Sequence, residues 1–314
     1  MDRTEPVDRP IGTTTVAGGR DAEDEVDLIP IRTYWQLARQ RFIQHRLAVI
    51  ALFTLLVLVS IAIVVPTFTG LEYRLTDLTE RNAGPTLTAP LGHDELGVNL
   101  FVRLAKATQT SLIIGGAAVM IIVGIGTFVG SIAGYAGGWV DNLLMRLVDI
   151  VLSLPVLFII LMIVSFFGGG DVRVIIIAIG ITGWTLAARL IRAEFLALRG
   201  ADFVQAAKAL GAGHRRIITR HILPSAMAPL VVAAALGVAD SVVTEAALSF
   251  LGFGISATEA SLGTMLNKFS IYFYSAPERI LYPSLVLVLI VLSASFLGDG
   301  IRDALDPRQR IASK

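Results

Sequence analysis

Long apolar runs with few or no charged residues dominate the chain after residue 46. An α-helix needs about 20 residues, each rising 1.5 Å, to cross a hydrocarbon core about 30 Å thick. Six segments of this kind are predicted to be transmembrane helices. They are Leu47 to Val65, Thr110 to Tyr135, Asn142 to Phe167, Val174 to Ile191, Ser225 to Ser249 and Ile280 to Gly298. The fourth has 15 uncharged residues between Arg173 and Arg189, so either this helix is short or the Arg189 side chain extends to the interface.

A polar segment, Asp202 to Pro224, separates the fourth and fifth apolar runs. Asp202 is a favourable N-cap residue because its carboxylate can accept a hydrogen bond from the first turn of a helix. Phe203, Ala207 and Leu210 then recur at i, i+4 and i+7, a spacing that gives a helix one narrow apolar face. The first half of the segment is therefore predicted to be a short amphipathic helix.

The second half of this segment is basic and has a helical pattern of its own. Gly211 and Gly213 mark the end of the first helix, because glycine adopts the left-handed C-cap conformation without a Cβ clash. A second helix is predicted from there to Pro224, where we expect a sharp turn into the membrane. Its basic residues are His214, Arg215, Arg216 and Arg220. Such a hairpin suits docking into a groove on a soluble partner, and it equally suits lying on the membrane surface.

The N-terminal region is polar and precedes the first apolar run. Residues 1–30 contain an acidic cluster without an apolar core and are predicted to be a disordered tail. Residues 31–46 are predicted to form an interfacial helix with Trp35, Ala38 and Phe42 on one face. The alternative is that this segment simply continues the first transmembrane helix.

The loop after the first transmembrane helix has a further helical pattern. A short separate helix is predicted there from Leu100, Leu104 and Ala107, preceded by Asp94 and Glu95. The predicted organisation is a tail at 1–30, an interfacial helix at 31–46, a first transmembrane helix at 47–65 with its loop at 66–109, a transmembrane core at 110–300 that includes the loop at 200–224, and a tail at 301–314.

Composition identifies the class of protein and excludes several others. The 314 residues are 54% hydrophobic and 16% charged, which predicts an all-α integral membrane protein. The chain has no cysteine and four scattered histidines, so we predict no metal ligands. A net charge of +1 gives no reason to expect nucleic acid as a partner. The phosphate-binding pattern G-x-x-x-x-G-K-[ST] is absent, so no catalytic or cofactor-binding residue is predicted and the chain cannot hydrolyse ATP by itself.

The distribution of Lys and Arg predicts the orientation. Nineteen of the 26 lie in the N-terminal region, at Arg146, between Arg189 and Arg220, or after the last apolar run, and the other seven lie in the alternate loops. Positive charge concentrates on the cytoplasmic side of membrane proteins. Both termini and the loop at 200–224 are therefore predicted to be cytoplasmic.

The same loop resembles the EAA loop of ABC importer permeases, which marks their coupling helix. The matching residues are Ala206, Ala207, Gly211, Leu223 and Pro224, while Gln205 replaces the usual Glu and His221 the usual Ile. Four further segments resemble the dipeptide, oligopeptide and nickel class of these permeases, in the expected order. They are LGHDELGVNLFVRLAKATQTSL, Gly137 to Pro155, Thr244 to Gly254, and Leu297 to Arg308. The resemblance is to the second, or C-type, permease subunit and covers roughly Gln36 to Arg310.

This resemblance implies a type I ABC importer permease architecture with six transmembrane helices and a cytoplasmic coupling helix. The chain would form half of a peptide channel in the bacterial inner membrane, beside a homologous permease subunit and surrounding lipid. An external solute-binding protein would deliver cargo, and two ATPase subunits or a fused ATPase would bind ATP and Mg. The residues expected to dock the ATPase are Phe203, Gln205, Ala206, Ala207, Leu210, Gly211, Arg215, Arg216, Leu223 and Pro224.

Three acidic residues in apolar runs are candidates for the translocation path or its gate. Charged groups at membrane depth are costly and tend to pair or to line cavities. Asp149 follows Arg146 by three residues and is expected to pair with it on one helical face. Asp240 is expected in the outer part of the membrane, either facing the path or bonded to a neighbouring helix or the partner permease. Glu245 is expected at the outer interface.

Other functions remain open at this stage. Nickel-chelate, heme or another small solute could be the cargo instead of a peptide. A secondary transporter driven by an ion gradient would need broken helices and midplane carboxylates, whereas the first, second and sixth apolar runs lack charged residues. A membrane anchor or assembly factor would leave the polar hairpin unexplained.

Overall fold

The computed structural model describes residues 34–68, 73–74, 76–256 and 258–305. The predicted tail at 1–30, residues 306–314 and the side chain of Trp35 lie outside the described part of the chain. The described helices are α1 Tyr34–Gln44, α2 Arg46–Phe68, α3 Leu100–Ala136, α4 Gly138–Ser153, α5 Val156–Phe167, α6 Val172–Leu198, α7 Asp202–Ala209, α8 His214–Ile217, α9 Leu223–Ser225, α10 Met227–Phe250, α11 Leu262–Ser270 and α12 Glu278–Leu305. A 3₁₀ turn, Leu78–Glu80, and a π-helix, Ile218–Ile222, complete them.

Five of the described helices, α2, α3, α6, α10 and α12, are long and apolar enough to cross a membrane. The pair α4 and α5 makes a sixth span if counted together, but it is bent by 84°. The prediction of one straight helix from Asn142 to Phe167 is therefore wrong. The bend has a local cause, because proline disfavours helical backbone in the residue before it, and Leu154 before Pro155 is extended with ψ 141°.

Several predicted boundaries also differ from the structure. The separate short helix near Leu100 does not exist, since α3 is continuous over 37 residues and includes the second predicted span. The fourth span is not short, because α6 has 27 residues and carries Arg189 inside the helix. Residues 301–305 belong to α12 and not to the C-terminal tail. In each case the helix is longer than the apolar run, because polar residues at the end of the run continue the helix.

The predicted interfacial segment is a helix distinct from the first span. The break between α1 and α2 falls at His45, whose Nδ1 accepts a hydrogen bond from the Ala48 N–H at 3.1 Å. This bond caps the start of α2, so α1 is not a plain continuation of it. Ala38 is buried and Phe42 is half-buried. Whether α1 lies in the membrane interface stays a prediction.

The centre of the molecule is a close contact between α3 and α6. Gly126, Gly130 and Gly134 lie along this contact, and a Cβ atom at any of them would come 2.5 Å from an atom of α6. Small residues at a spacing of four allow two helix backbones to approach closely. This glycine stripe therefore packs within the chain, against α6.

Gly130→Ala is therefore expected to destabilise the protein by about 1–3 kcal/mol, because the new Cβ would lie 2.5 Å from the Ala188 carbonyl oxygen. Thermal unfolding in detergent measures this effect. Gly124→Ala is the matched control on the same helix, since no atom of another described segment lies within 4 Å of that position. Alanine there is expected to be neutral or slightly stabilising. Equal melting temperatures for the two variants would contradict the close packing.

A buried ion network joins the loop before α3 to α11 and α12. Asp94 accepts hydrogen bonds from Lys268 at 2.7 Å and from Arg103 at 3.2 Å, and its side chain has no exposed surface. Glu95 pairs with Lys268 at 2.8 Å and with Arg279 at 3.5 Å. We call these five residues the cap network. Asp94 and Glu95 thus lie outside a helix and tie their loop to α3, α11 and α12.

Candidate functional site

The loop between α6 and α10 has the helical hairpin that its sequence predicts. Helix α7 begins at Asp202, with Ala201 and not Asp202 in the N-cap position and without a side-chain cap. Its end is a Schellman motif: the Gly211 N–H donates to Lys208 O at 2.9 Å and the Ala212 N–H to Ala207 O at 3.0 Å. Gly211 has φ +80°, so the predicted glycine stop is confirmed. We call residues 199–226 the coupling loop.

The buried side of the coupling loop differs from the predicted apolar face. Val204 is buried against α6, together with Ile217 and Ile222 of the second arm, and Ala207 is buried as well. Phe203 is 44% exposed. Of the pattern Phe203, Ala207 and Leu210, only Ala207 therefore lies on the inner face. Valine and alanine three residues apart supply that face, and the larger apolar side chains point outward.

The exposed side of the coupling loop carries most of the residues expected to dock an ATPase. Leu210 projects from the end of α7 with 88% of its surface exposed. Ala207 is buried and Leu223 half-buried, so these two expected docking residues pack inside the loop. The other eight are exposed: Phe203, Gln205, Ala206, Leu210, Gly211, Arg215, Arg216 and Pro224. The outer surface thus combines apolar side chains with a basic arm.

The second arm continues as helix beyond its predicted end. α8, the π-helix and α9 follow one another without a break, and Pro224 lies within α9. The expected sharp turn at Pro224 is therefore wrong, and the interruption falls at Ala226. The Leu223 N–H bonds the Ile218 carbonyl, a wide turn that π-helices use. The Ser225 hydroxyl donates to His221 O at 3.1 Å.

One long-range contact links the coupling loop to α3, and a second bond holds the loop's own first residues. The hydroxyl of Tyr135, at the end of α3, lies 2.7 Å from Nδ1 of His214, and the two rings meet edge to face. Gln205 donates to the Arg199 carbonyl at 3.3 Å. Sequence reasoning missed Tyr135 because 79 residues separate it from His214 and no local pattern indicates the contact.

Asp149 does not pair with Arg146 as expected. Its carboxylate accepts a hydrogen bond from Arg189 of α6 at 2.6 Å. A second pair, Asp141 with Arg192, joins the same two helices. α4 and α6 pack against each other, so the arginines of α6 reach the carboxylates of α4. Asp149 therefore pairs with Arg189 across this contact and not with Arg146, its neighbour on α4. Asp149 is thus a link between α4 and α6.

The other two path candidates lie in different surroundings. Asp240 is exposed on α10, and no described residue hydrogen-bonds to its carboxylate. Glu245 has 0% exposure, and its expected depth at the outer interface stays a prediction. It accepts hydrogen bonds from Ser111 at 2.8 Å and Ser249 at 2.7 Å, and joins α3 to α10.

The described spans and the anchored hairpin define an α-helical membrane protein. The family described as binding-protein-dependent transport system inner membrane component matches residues 126–311. The N-terminal TM domain of oligopeptide transport permease C matches residues 33–85. The chain belongs to this binding-protein-dependent transport family, in the ABC importer permease class that its sequence resembles. It is accordingly a multi-pass membrane component and not the ATPase of its transporter, and membership implies ATPase and permease partners.

Individual relatives agree with this assignment. The dipeptide transport system permease protein DppC of Alkalihalophilus pseudofirmus is 36% identical over 276 residues, covering 88% of this chain and 90% of that protein. The oligopeptide transport system permease protein OppC of Haemophilus influenzae is 37% identical over 281 residues, covering 89% and 90%. Among solved structures, the inward-facing MetNI methionine ABC transporter has a similar fold, with a TM-score of 0.55 at 20% identity over 65% of this chain and 96% of that one. The predicted family and fold class are confirmed.

Proposed function

We propose that this chain is the C-type permease subunit of an ATP-driven dipeptide or oligopeptide importer. It forms half of the translocation channel, and a homologous permease subunit forms the other half. The cargo is inferred from the relatives, which are named as dipeptide and oligopeptide permeases and align with nearly the whole chain. A solute-binding protein delivers the peptide to the outer side of the channel.

The coupling loop is the proposed docking site for the ATPases, and one observation carries this proposal. The loop is fixed to α6 through Val204, Ile217 and Ile222, while Leu210 and the basic arm remain exposed. A large apolar side chain that projects into solvent favours burial in a partner's groove. ATP and Mg are bound by the two ATPase subunits, or by a fused ATPase. Docked ATPases that approach one another would push the paired loops together.

Movement of the coupling loop would reach the channel through its anchors. The apolar contacts lead to α6, and the bond between Tyr135 and His214 leads to α3. α3 and α6 pack closely through the glycine stripe, so the two helices would move as one body. We propose that this body tilts between inward-open and outward-open states. Asp240, exposed on α10, remains a proposed residue of the path or its gate.

Uptake by the reconstituted transporter tests the cargo. The permease pair, the ATPases and the binding protein are assembled in proteoliposomes containing ATP, and labelled di- to pentapeptides are compared with a nickel chelate and heme. Peptide uptake that depends on both ATP and the binding protein is expected. Uptake of nickel chelate or heme without peptide uptake would replace the proposed cargo. Uptake driven by an ion gradient without ATP would overturn the importer assignment.

Cysteine labelling tests the proposed orientation, with both termini and the coupling loop in the cytoplasm. The chain has no native cysteine, so each introduced thiol is unique. Leu87→Cys, in the exposed loop before α3, is expected to react with a membrane-impermeant maleimide in intact cells. Ala209→Cys, exposed at the end of α7, is expected to react only after the membrane is opened. The reverse pattern would invert the topology.

A further inference from the structure

A basin of about 380 Å³ opens between the end of α3 and the coupling loop. Side chains or backbone from four segments surround it: the last turn of α3, the linker after α6, α7 and α8. The residues are Tyr135, Arg199, Gly200, Gln205, Lys208 and His214. This volume accommodates a group of the size of a phosphate with part of its substituents. The basin lies beside the exposed docking surface of the loop and shares only Gln205 with it.

The lining of the basin is suited to an anion. Arg199 and Lys208 are cationic at neutral pH, and no carboxylate lines the basin. Neither cation has an ion-pair partner among the described residues; Asp202, the acidic residue of the coupling loop, is exposed and lies outside the lining. Tyr135 and His214 add hydrogen-bond donors and acceptors, and the hydrogen bond between them fixes both side chains. Positive charge without a partner in the chain is the main feature of this basin.

Gly137 leaves room for the side chain of Arg199. Gly137 has φ +65°, and a Cβ atom there would lie 2.5 Å from Nη1 of Arg199. Any other residue at Gly137 would displace the guanidinium from its position between α3 and the coupling loop. Gln205, in turn, holds the linker by donating to the Arg199 carbonyl. The arginine is thus positioned by contacts with its backbone and its side chain.

The depth of the basin corresponds to the lipid headgroup layer. α6 has 27 residues and is about 40 Å long, and Arg199 directly follows it. A bilayer has a hydrocarbon core about 30 Å thick and measures about 40–45 Å with its headgroups. A helix of this length that starts at the outer interface therefore places Arg199 at the depth of the inner headgroups. This step rests on the proposed orientation of the chain.

We propose that the basin binds a phosphate group, supplied by the headgroup of an anionic phospholipid in the inner leaflet. Arg199 and Lys208 bind the phosphate oxygens, because charge-assisted hydrogen bonds from these side chains suit phosphate. The bound lipid bridges the α6–α7 linker and α7, beside α3 and α8. It therefore holds the coupling loop at a fixed angle to the transmembrane helices, and ATP-driven transport depends on anionic lipid. Free phosphate has the same chemistry and is the other source to be distinguished.

Native mass spectrometry of the complete transporter tests this site. The complex is reconstituted in nanodiscs of phosphatidylcholine with a minor fraction of phosphatidylglycerol, and the lipid retained on release is measured. The Arg199→Gln/Lys208→Gln variant is expected to retain phosphatidylglycerol at least about tenfold more weakly, since it loses two charge-assisted contacts. Arg220→Gln is the control, because Arg220 is an exposed cation of the same loop outside the basin. It is expected to retain lipid as the unmodified complex does.

A second arm separates the two sources of phosphate. Nanodiscs of phosphatidylcholine alone are titrated with inorganic phosphate, with chloride at equal ionic strength as the reference. Phosphate is expected to stabilise the complex little against unfolding, because free phosphate is not held at the depth of the basin by a lipid tail in the membrane. Strong stabilisation that the double variant loses would identify free phosphate as the occupant and overturn the lipid source.

Two outcomes would overturn the site itself. In one, the double variant and Arg220→Gln retain phosphatidylglycerol equally. In the other, the double variant retains lipid normally but releases the ATPases, which would mean that a carboxylate of the ATPase fills the basin. Lipid retention is measured without transport, so the lipid site can fail while peptide uptake persists, and the proposed function can fail while lipid retention persists.

Discussion

Leu210→Asp is expected to abolish ATP-driven transport while the chain remains folded in the membrane. Leu210 is exposed in the chain alone, so its replacement should change the free energy of unfolding by about 0.5 kcal/mol or less. Burying a leucine in a partner contributes about 1.5–3 kcal/mol, and an unpaired carboxylate in an apolar groove costs more. The affinity for the ATPases should therefore fall by about 100-fold or more. ATP-dependent peptide uptake in proteoliposomes and ATPase binding to the purified permease pair measure the two effects.

The control for this variant is Thr219→Asp. Thr219 is exposed on the second arm of the same loop and is not among the expected docking residues. This variant introduces the same charge into the same loop, and near-normal uptake is expected. Equal loss of uptake in both variants would mean that the added carboxylate, and not the loss of the Leu210 side chain, causes the effect. Normal uptake with Leu210→Asp would remove this side chain from the docking surface.

Asp94→Ala is expected to destabilise the protein by about 3 kcal/mol or more. The substitution leaves Lys268 and Arg103 without their shared carboxylate. It also removes the acceptor for the N–H groups of Leu96 and Val98, each 2.9 Å from Oδ1. Removing one partner of a buried ion pair is costly, and the remaining cations are mostly withdrawn from water, with 14% of the Arg103 side chain and 24% of the Lys268 side chain exposed. The melting temperature in detergent measures the loss.

The matched control for Asp94 is Asp77→Ala. Asp77 is in the same loop, but it is exposed, and among the described residues its carboxylate bonds only to Thr79 within its own turn. A small change, well under the effect at Asp94, is expected. Similar melting temperatures for the two variants would show that the cap network does not contribute to stability as its geometry indicates.

The cap network also predicts the effect of acid. Burial opposes ionisation of Asp94, but hydrogen bonds from Lys268 and from the Val98 and Leu96 N–H groups outweigh it and hold its pKa below the ordinary value. A folded-state pKa below the unfolded value, about 3.9, stabilises the protein fully above that value. The contribution disappears as the pH falls from about 4 through the lowered pKa of Asp94. The difference in melting temperature between the unmodified protein and Asp94→Ala should shrink over that range.

The membrane helices could be predicted from sequence because apolar length is a local property. The apolar runs locate all the long spans, and Gly211 marks the end of α7 through its own backbone preference. The bend at Pro155 also had a local cause, and the apolar run on both sides concealed it. Predicted helix ends were less accurate, since polar residues such as those at 301–305 continue a helix once it has formed.

The arrangement of side chains around the site could not be predicted in the same way. Val204 and Phe203 are adjacent apolar residues, and the position of α6 determines which of them is buried. The bonds from Tyr135 to His214 and from Arg189 to Asp149 join residues distant in sequence. Glu245 illustrates the same limit, because its hydroxyl donors come partly from α3, 134 positions away. Such contacts depend on tertiary packing and leave no local pattern.

Affinity purification tests the central claim that this chain is a permease half whose coupling loop docks ATPases. Tagged chain and its Gly211→Pro variant are purified from gently solubilised native membranes, and their partners are identified by mass spectrometry. Proline cannot adopt φ +80° and lacks the N–H that bonds Lys208, so the elbow of the loop should be lost. The unmodified chain is expected to retain a homologous permease and ATPases, and the variant to keep the permease but lose the ATPases. Purification of the unmodified chain alone or as a homodimer, while other ABC complexes in the same extract stay assembled, would contradict its assignment as an ATPase-docking permease half.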